Sequence, residues 1–228
     1  MRSIDDNLQA VRGRIASAAQ ACGRDPASVT LVAVSKTHPA ALVREAWAAG
    51  QRAFGESYVQ EAAAKMDALA DLAIEWHLVG PLQSNKTRLA AERFAWVESL
   101  ERERIARRLS AQRPAGLAPL NVLLQVNVSG EASKSGVAPA QAAALAAAVA
   151  AMPRLRLRGL MAIPEPGAGR ARYRELRRLY DALEGRFGLD TLSVGMSDDL
   201  ELAVAEGATL VRIGTAIFGE RRSVRPAA

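Results

Sequence analysis

Short apolar runs alternate with longer amphipathic segments along most of this chain. Runs rich in Val, Leu, Ile and aromatic residues recur at 29–35, 52–56, 75–79, 95–99, 121–128, 156–163, 191–195 and 209–213. Their length and composition predict strands. Between them, 40–49, 58–72, 85–93, 102–112, 139–151, 170–187 and 198–206 read as amphipathic helices with one buried face. A further helix opens the chain at 4–22 and ends before Gly23 and Pro26. Strands separated by helices pair in parallel through right-handed crossovers. The order therefore predicts an α/β fold, a compact (β/α)8 TIM barrel with an extra N-terminal helix. A doubly wound open sheet is the alternative. No Gly-x-Gly-x-x-Gly turn follows the first strand, so a dinucleotide site has no support.

Alternation within the strands sorts side chains into faces. Val32, Val34 and Lys36 share one face of the first strand, and Leu31, Ala33 and Ser35 the other. The third strand groups Glu75, His77 and Val79; the fifth groups Leu123, Gln125 and Asn127; the last groups Leu210, Arg212 and Gly214. Polar residues thus collect near the carboxyl ends of strands that are otherwise apolar. A ligand or an ion-pair network at the barrel mouth explains them together, since buried polar groups need partners and barrel sites lie at that end. Private pairing of each with nearby backbone is the competing explanation.

At 228 residues the chain supports one substantial core, and 1–228 reads as a single domain. No apolar stretch reaches the roughly 18 residues of a membrane span, and the polar opening Met1-Arg2-Ser3-Ile4-Asp5-Asp6 is unlike a secretory leader. A single cysteine, Cys22, allows no intrachain disulfide, and two histidines show no metal-ligand spacing. A cytoplasmic monomer is expected. The net charge of +6 comes largely from arginines at 102–113 and 170–178, interleaved with Glu101, Glu103 and Glu175. That is the look of solvated helix faces rather than of a nucleic-acid platform, which aromatic stacking residues would accompany. Neither nucleic acid nor membrane is an expected partner; small anions are.

Only four of the 30 basic residues are lysines: Lys36, Lys65, Lys86 and Lys134. Lys36 closes the first strand. A partly buried lysine can lose its proton and attack a carbonyl, which arginine does not; the bland alternative is a side chain snorkelling from a strand end. The last strand runs into Gly214-Thr215, and the seventh into Gly195-Met196-Ser197-Asp198-Asp199. These are the two loops where barrels commonly hold phosphate. Ser197 or Asp198 could instead cap the next helix, with Glu201 completing a capping box. An amine facing a phosphate cradle suits pyridoxal 5′-phosphate (PLP), which carries both an aldehyde and a phosphate. Arg212 could then donate to the pyridine nitrogen, keeping it unprotonated and the ring a weak electron sink; its alternative is a buried ion pair, with Glu201 as a candidate partner. His77 could bond near the ring, act as a base, or be a satisfied core histidine. His38 reads as a loop residue. The loops Gln83-Ser84-Asn85-Lys86 and Ser133-Lys134-Ser135-Gly136 could admit a second anion, although Ser84 could serve only as a helix cap.

The stretches Val34-Ser35-Lys36-Thr37, Phe54-Gly55-Glu56-Ser57-Tyr58-Val59-Gln60-Glu61, Trp76-His77-Leu78-Val79-Gly80-Pro81-Leu82-Gln83-Ser84-Asn85-Lys86, Gln125-Val126-Asn127, Gly159-Leu160-Met161, Gly195-Met196-Ser197-Asp198-Asp199 and 211–219 occur in order along nearly the whole chain. In these the chain closely resembles the pyridoxal phosphate homeostasis protein family, once called proline-synthetase co-transcribed proteins. The resemblance implies a fold-type III barrel like the amino-terminal domain of alanine racemase. It also implies Lys36 as the Schiff-base lysine, Arg212 facing the pyridine nitrogen, and Ser197, Gly214 and Thr215 around the phosphate. With these, Ser57, His77, Asn127 and Met161 complete the expected cofactor-binding set. Ser57 stands where the family usually has asparagine; a shorter side chain without the amide donor is expected to weaken cofactor binding modestly, with water substituting.

The sequence ends soon after the eighth strand, at Arg221-Arg222-Ser223-Val224-Arg225-Pro226, leaving no room for the β-domain with which fold-type III racemases and decarboxylases close their sites. An open mouth weakens electrostatic catalysis and admits water. The expectation is a protein that binds, buffers and delivers PLP, with PLP-dependent apo-enzymes as recipients and no turnover of its own. The rival is a fold-type III amino-acid racemase or decarboxylase using His77 or Tyr58 as base.

Overall fold

A computed structural model of the chain describes residues 3–131 and 134–220. Eight parallel strands close into a barrel in simple sequence order: β1 (Thr30–Val34), β2 (Ala53–Glu56), β3 (Glu75–Leu78), β4 (Trp96–Leu100), β5 (Leu120–Gln125), β6 (Leu155–Met161), β7 (Thr191–Ser193) and β8 (Leu210–Ile213). β1 pairs with both β2 and β8, in register Ala33 to Phe54 and Ala33 to Ile213. That closure removes the open-sheet alternative. The outer helices are α1 (Ile4–Ala21), α2 (Ala40–Ala48), α3 (Val59–Ala68), α4 (Thr87–Arg93), α5 (Glu103–Gln112), α6 (Pro139–Ala150), α7 (Arg170–Phe187), α8 (Leu200–Ala205) and α9 (Thr215–Phe218).

The extra helix has a structural use. α9 is four residues long, too short to cover the barrel wall outside β8 and β1. α1 lies there instead, packed on α2, α8 and α9. Its buried residues Leu8, Val11, Ile15, Ala18 and Ala19 recur at helical spacing, and Ser3 and Asp6 close a reciprocal capping box at its start. Burial of that apolar stripe stabilises the arrangement by roughly 1.5–3 kcal/mol for each large aliphatic side chain.

Two apolar layers result. Most of the core lies between barrel and helices, including Leu31, Ala33, Phe54, Val97, Leu124 and Val211. Inside the barrel, Val32, Ala53 and Leu210 form one cluster and Trp96, Leu123 and Met161 another. The barrel also encloses Glu98, His77, Ser193 and Arg212, all buried.

Some boundaries and caps differ from expectation. β5 stops at Gln125 rather than 128, because Val126 bridges to Val137 and the chain turns into a loop. The capping box expected from Ser197 or Asp198 with Glu201 does not form: Asp199 occupies the N-cap of α8 without a side-chain cap bond, and Glu201 is taken by Arg14. Nor does Ser84 cap a helix; Gln83 precedes a 3-10 turn over Ser84–Lys86. Of the readings above, Met1, Arg2, Ser133 and the segment 221–226 lie outside the described residues.

Candidate functional site

At the carboxyl end of β1 the chain leaves the sheet through Ser35, Lys36 and Thr37. Lys36 is half-buried, and Thr37 has φ of 66°. Left-handed backbone is a genuine outlier for a β-branched residue and persists only where surroundings fix it. They do so here. Glu61 accepts the Thr37 amide at 2.7 Å, and Lys65 donates to the Ser35 carbonyl at 2.8 Å. Lys65 also pairs with Glu56 at 2.5 Å, and Glu56 accepts the Ser35 hydroxyl at 2.6 Å. Glu56 and Lys65 are buried. Burial pushes the Glu56 carboxyl up, against the charge and hydrogen bond of Lys65.

The turn after β8 lies directly beside this one. A Cβ on Gly214 would stand 3.1 Å from the carbonyl oxygen of Val34, two residues before Lys36. The approach is tight, and glycine keeps it free of strain. Thr215 and Ala216 open α9, and their amides precede any carbonyl the helix could offer them. Ser197, from the loop after β7, and Thr215 line one cleft of about 360 Å³ together with Arg14, Asp198 and Ala216. Arg14 donates to the Ser197 carbonyl at 2.9 Å and to Glu201, which joins α1 to the loop. The structure thus brings Ser197, Gly214 and Thr215 together, and the strand end bearing Lys36 packs on Gly214.

Arg212 points through the upper barrel interior. Its guanidinium donates to the Ala162 carbonyl at 2.9 Å, at the carboxyl end of β6, and to the Ser193 hydroxyl. Glu98 is its acidic neighbour at 3.9 Å. Glu201, the candidate partner in the ion-pair alternative, lies on α8 outside the barrel, whereas Glu98 lies mid-strand inside it.

His77 is a satisfied core histidine. Its Nδ1 is 2.7 Å from Glu98, its Nε2 is 3.1 Å from Glu75, and its ring stacks on Trp96. Both ring nitrogens are occupied, so the ring has none to offer a ligand or a proton acceptor at the mouth. Asn127 is likewise committed: its amide donates to the Glu131 and Lys134 carbonyls and accepts the Gly130 amide, organising its own loop. In both side chains the polar atoms already have protein partners. Met161 is fully buried in the interior cluster with Trp96 and Leu123. Ser57 is buried just past β2; a Cβ on Gly80 would stand 2.4 Å from its carbonyl oxygen, so only glycine fits against it. Lys134 pairs with Glu131 and bonds Ser129, and with Ser135 it lines a cleft of about 200 Å³ bounded by Val79, Pro81, Gln125 and Ile163.

Arg14, Lys65, Glu98 and Ser193 escaped the sequence reading. For Glu98 a signal was present: a lone carboxylate in the middle of the apolar run Trp96–Leu100. Lys65 shared the scarcity of lysine but, placed on a helix face, gave no further sign of its role.

Known proteins resemble this chain in sequence and fold. The sequence model of the alanine racemase N-terminal domain family matches residues 7–222. A protein of Pseudomonas aeruginosa named pyridoxal phosphate homeostasis protein is 63% identical over the whole of both chains. One of the same name from Escherichia coli K12 is 55% identical, over 97% of this chain and 98% of that one. The chain belongs to the pyridoxal phosphate homeostasis protein family. Among solved structures, PipY of Synechococcus elongatus with PLP bound is 40% identical at a TM-score of 0.83, covering 95% of this chain and all of that one. Alanine racemase of Corynebacterium glutamicum, 20% identical at a TM-score of 0.69, shares the fold over 96% of this chain and 63% of its own.

Proposed function

We propose that this protein binds PLP at the carboxyl end of the barrel and serves its homeostasis by holding and releasing it. The observation that carries this reading is the packing of the Lys36 strand end on the Gly214 turn, beside a cleft that Ser197 and Thr215 line together. The residues fit the ligand. Lys36 supplies an amine for the aldehyde, and hydroxyls and helix-start amides supply donors for the phosphate. Arg212 supplies a fixed cation for the ring nitrogen, and Ser57 and Met161 supply buried walls. PLP brings the reactive aldehyde, which condenses with a neutral lysine amine to one C=N bond and one water.

Each residue contributes a definable part. Glu61 and Lys65 hold the turn that presents Lys36. Arg14 ties the Ser197 loop to α1. Arg212 keeps a permanent positive charge where protonation of the ring nitrogen would otherwise strengthen the electron sink. His77 and Asn127 support from behind. With both nitrogens of His77 engaged by carboxylates, a racemase reading loses its histidine base and keeps only the exposed Tyr58, at the start of α3, as its candidate. The protein acts in this proposal as a cytoplasmic monomer that delivers PLP to apo-enzymes and turns over no amino acid.

Delivery is tested by mixing PLP-loaded protein with a PLP-dependent apo-enzyme and following recovery of that enzyme's activity, with amino acids in deuterium oxide as the parallel assay. Recovery of activity without loss of the α-proton signal is expected. Sustained α-proton exchange dependent on Lys36 would make the protein a catalyst instead.

A further inference from the structure

A chain of side chains crosses the barrel interior beneath the mouth. Glu75, half-exposed at the start of β3, meets Nε2 of His77 at 3.1 Å. Nδ1 of His77 meets Oε1 of Glu98 at 2.7 Å. The other oxygen of Glu98 accepts the Ser193 hydroxyl at 2.6 Å, and the Ser193 oxygen accepts from Arg212. Four strands, β3, β4, β7 and β8, contribute the members. Glu98 and Ser193 are fully buried, and His77 and Arg212 nearly so.

From this we propose that Glu98 is a positioning residue for Arg212, fixing the guanidinium through Ser193, and that His77 fixes Glu98 in turn. The inference rests on the reading of Arg212 as the residue that faces the PLP ring.

Three features carry it. First, Glu98 and Arg212 are 3.9 Å apart, too far for a hydrogen bond, and the Ser193 hydroxyl spans the gap. A charge pair alone would leave the guanidinium free to rotate, whereas a hydroxyl that donates to one side and accepts from the other defines one orientation. Second, among the described residues the Arg212 guanidinium donates to the Ala162 carbonyl and to Ser193. Loss of the second frees a planar fork whose use depends on its direction. Third, both oxygens of Glu98 are committed, one to each neighbour, so its own position is determined. Burial alone would raise the Glu98 carboxyl; the His77 hydrogen bond and the charges of His77 and Arg212 outweigh it and keep the group below its ordinary range. Burial lowers Arg212, with the charges of Glu98 and Asp199 opposing. The opposite charges of Glu98 and Arg212, with Ser193 and His77 completing their hydrogen bonds, permit two ionised groups in the barrel interior.

The test is a thermodynamic cycle on PLP affinity, read from the visible absorbance of the loaded full-length protein, with circular dichroism confirming the fold of each variant. Glu98→Gln keeps shape and removes the charge; Ser193→Ala removes the spanning hydroxyl. Glu98→Gln is expected to weaken PLP binding about tenfold and Ser193→Ala by less, with Arg212→Gln at least as damaging as either. Added to Arg212→Gln, either change is expected to alter affinity by less than about twofold, because a positioning effect has nothing left to position. An effect of Glu98→Gln that persists in the Arg212→Gln background marks a plain field effect and overturns the proposal. Should Glu98→Gln fail to fold, the Ser193→Ala arm of the cycle decides by the same criterion. Wild-type protein that takes up no PLP overturns the functional reading, and this inference with it; normal uptake that both variants leave unchanged overturns this inference alone.

Discussion

Lys65 shows how much of a site can depend on a side chain that meets no ligand. Its ammonium joins Glu56, the Ser35 carbonyl and Glu61, and through them holds the left-handed Thr37 that follows Lys36. Lys65→Met removes one partner of a buried pair and strands Glu56. The expected loss is about 3–5 kcal/mol in urea denaturation at neutral pH. The loss should shrink in acid, because burial already raises the Glu56 carboxyl and a protonated Glu56 no longer needs a cation. Lys36 was legible in the sequence because a scarce residue type closed a buried strand. Lys65 was not, since its role depends on how α3 settles over the end of β2. Asn127 looked inward by alternation, yet β5 ends before it, and its amide is used by the loop it begins.

At the scale of elements, periodicity located every strand and the eight long segments read as helices, because each buries a face with a regular period. What it missed were ends and short turns, where local hydrogen bonds decide. α9 is the clearest instance: four residues carry no period, yet their brevity leaves the wall that α1 covers. Strand contacts also impose demands that no pattern reveals. A Cβ on Gly159 in β6 would stand 1.7 Å from the Thr191 carbonyl oxygen in β7. Gly159→Ala must therefore push β6 and β7 apart, close to Ser193 and Ala162, which hold Arg212. A destabilisation above about 4 kcal/mol is expected in denaturant titration, together with weaker PLP uptake in whatever fraction folds.

For the whole molecule, the interior charge chain couples folding to pH. Burial alone would lower the His77 pKa, but hydrogen bonds to Glu75 and Glu98 outweigh it and raise it above 6.5. The folded state then holds that proton more tightly than the unfolded chain. Its contribution is complete below pH 6.5 and is lost as pH rises through the folded-state value. Glu98 and Glu75 lie below 4.5, so theirs is present above pH 4.5 and is lost as pH falls through their folded-state values. The chain's stabilisation is thus greatest between these two limits. Melting temperature measured from about pH 5 to about pH 9 should fall on the alkaline side, and His77→Gln should flatten that fall. An unchanged alkaline slope in the variant would show that the folded state does not favour the doubly protonated, charged ring.

The most direct measurement is borohydride reduction of PLP-loaded protein followed by peptide mass mapping. The account predicts a single pyridoxyl group on Lys36, and loss of both the label and the visible band in Lys36→Ala. A label on Lys65, Lys86 or Lys134, with Lys36 unmodified, would contradict it.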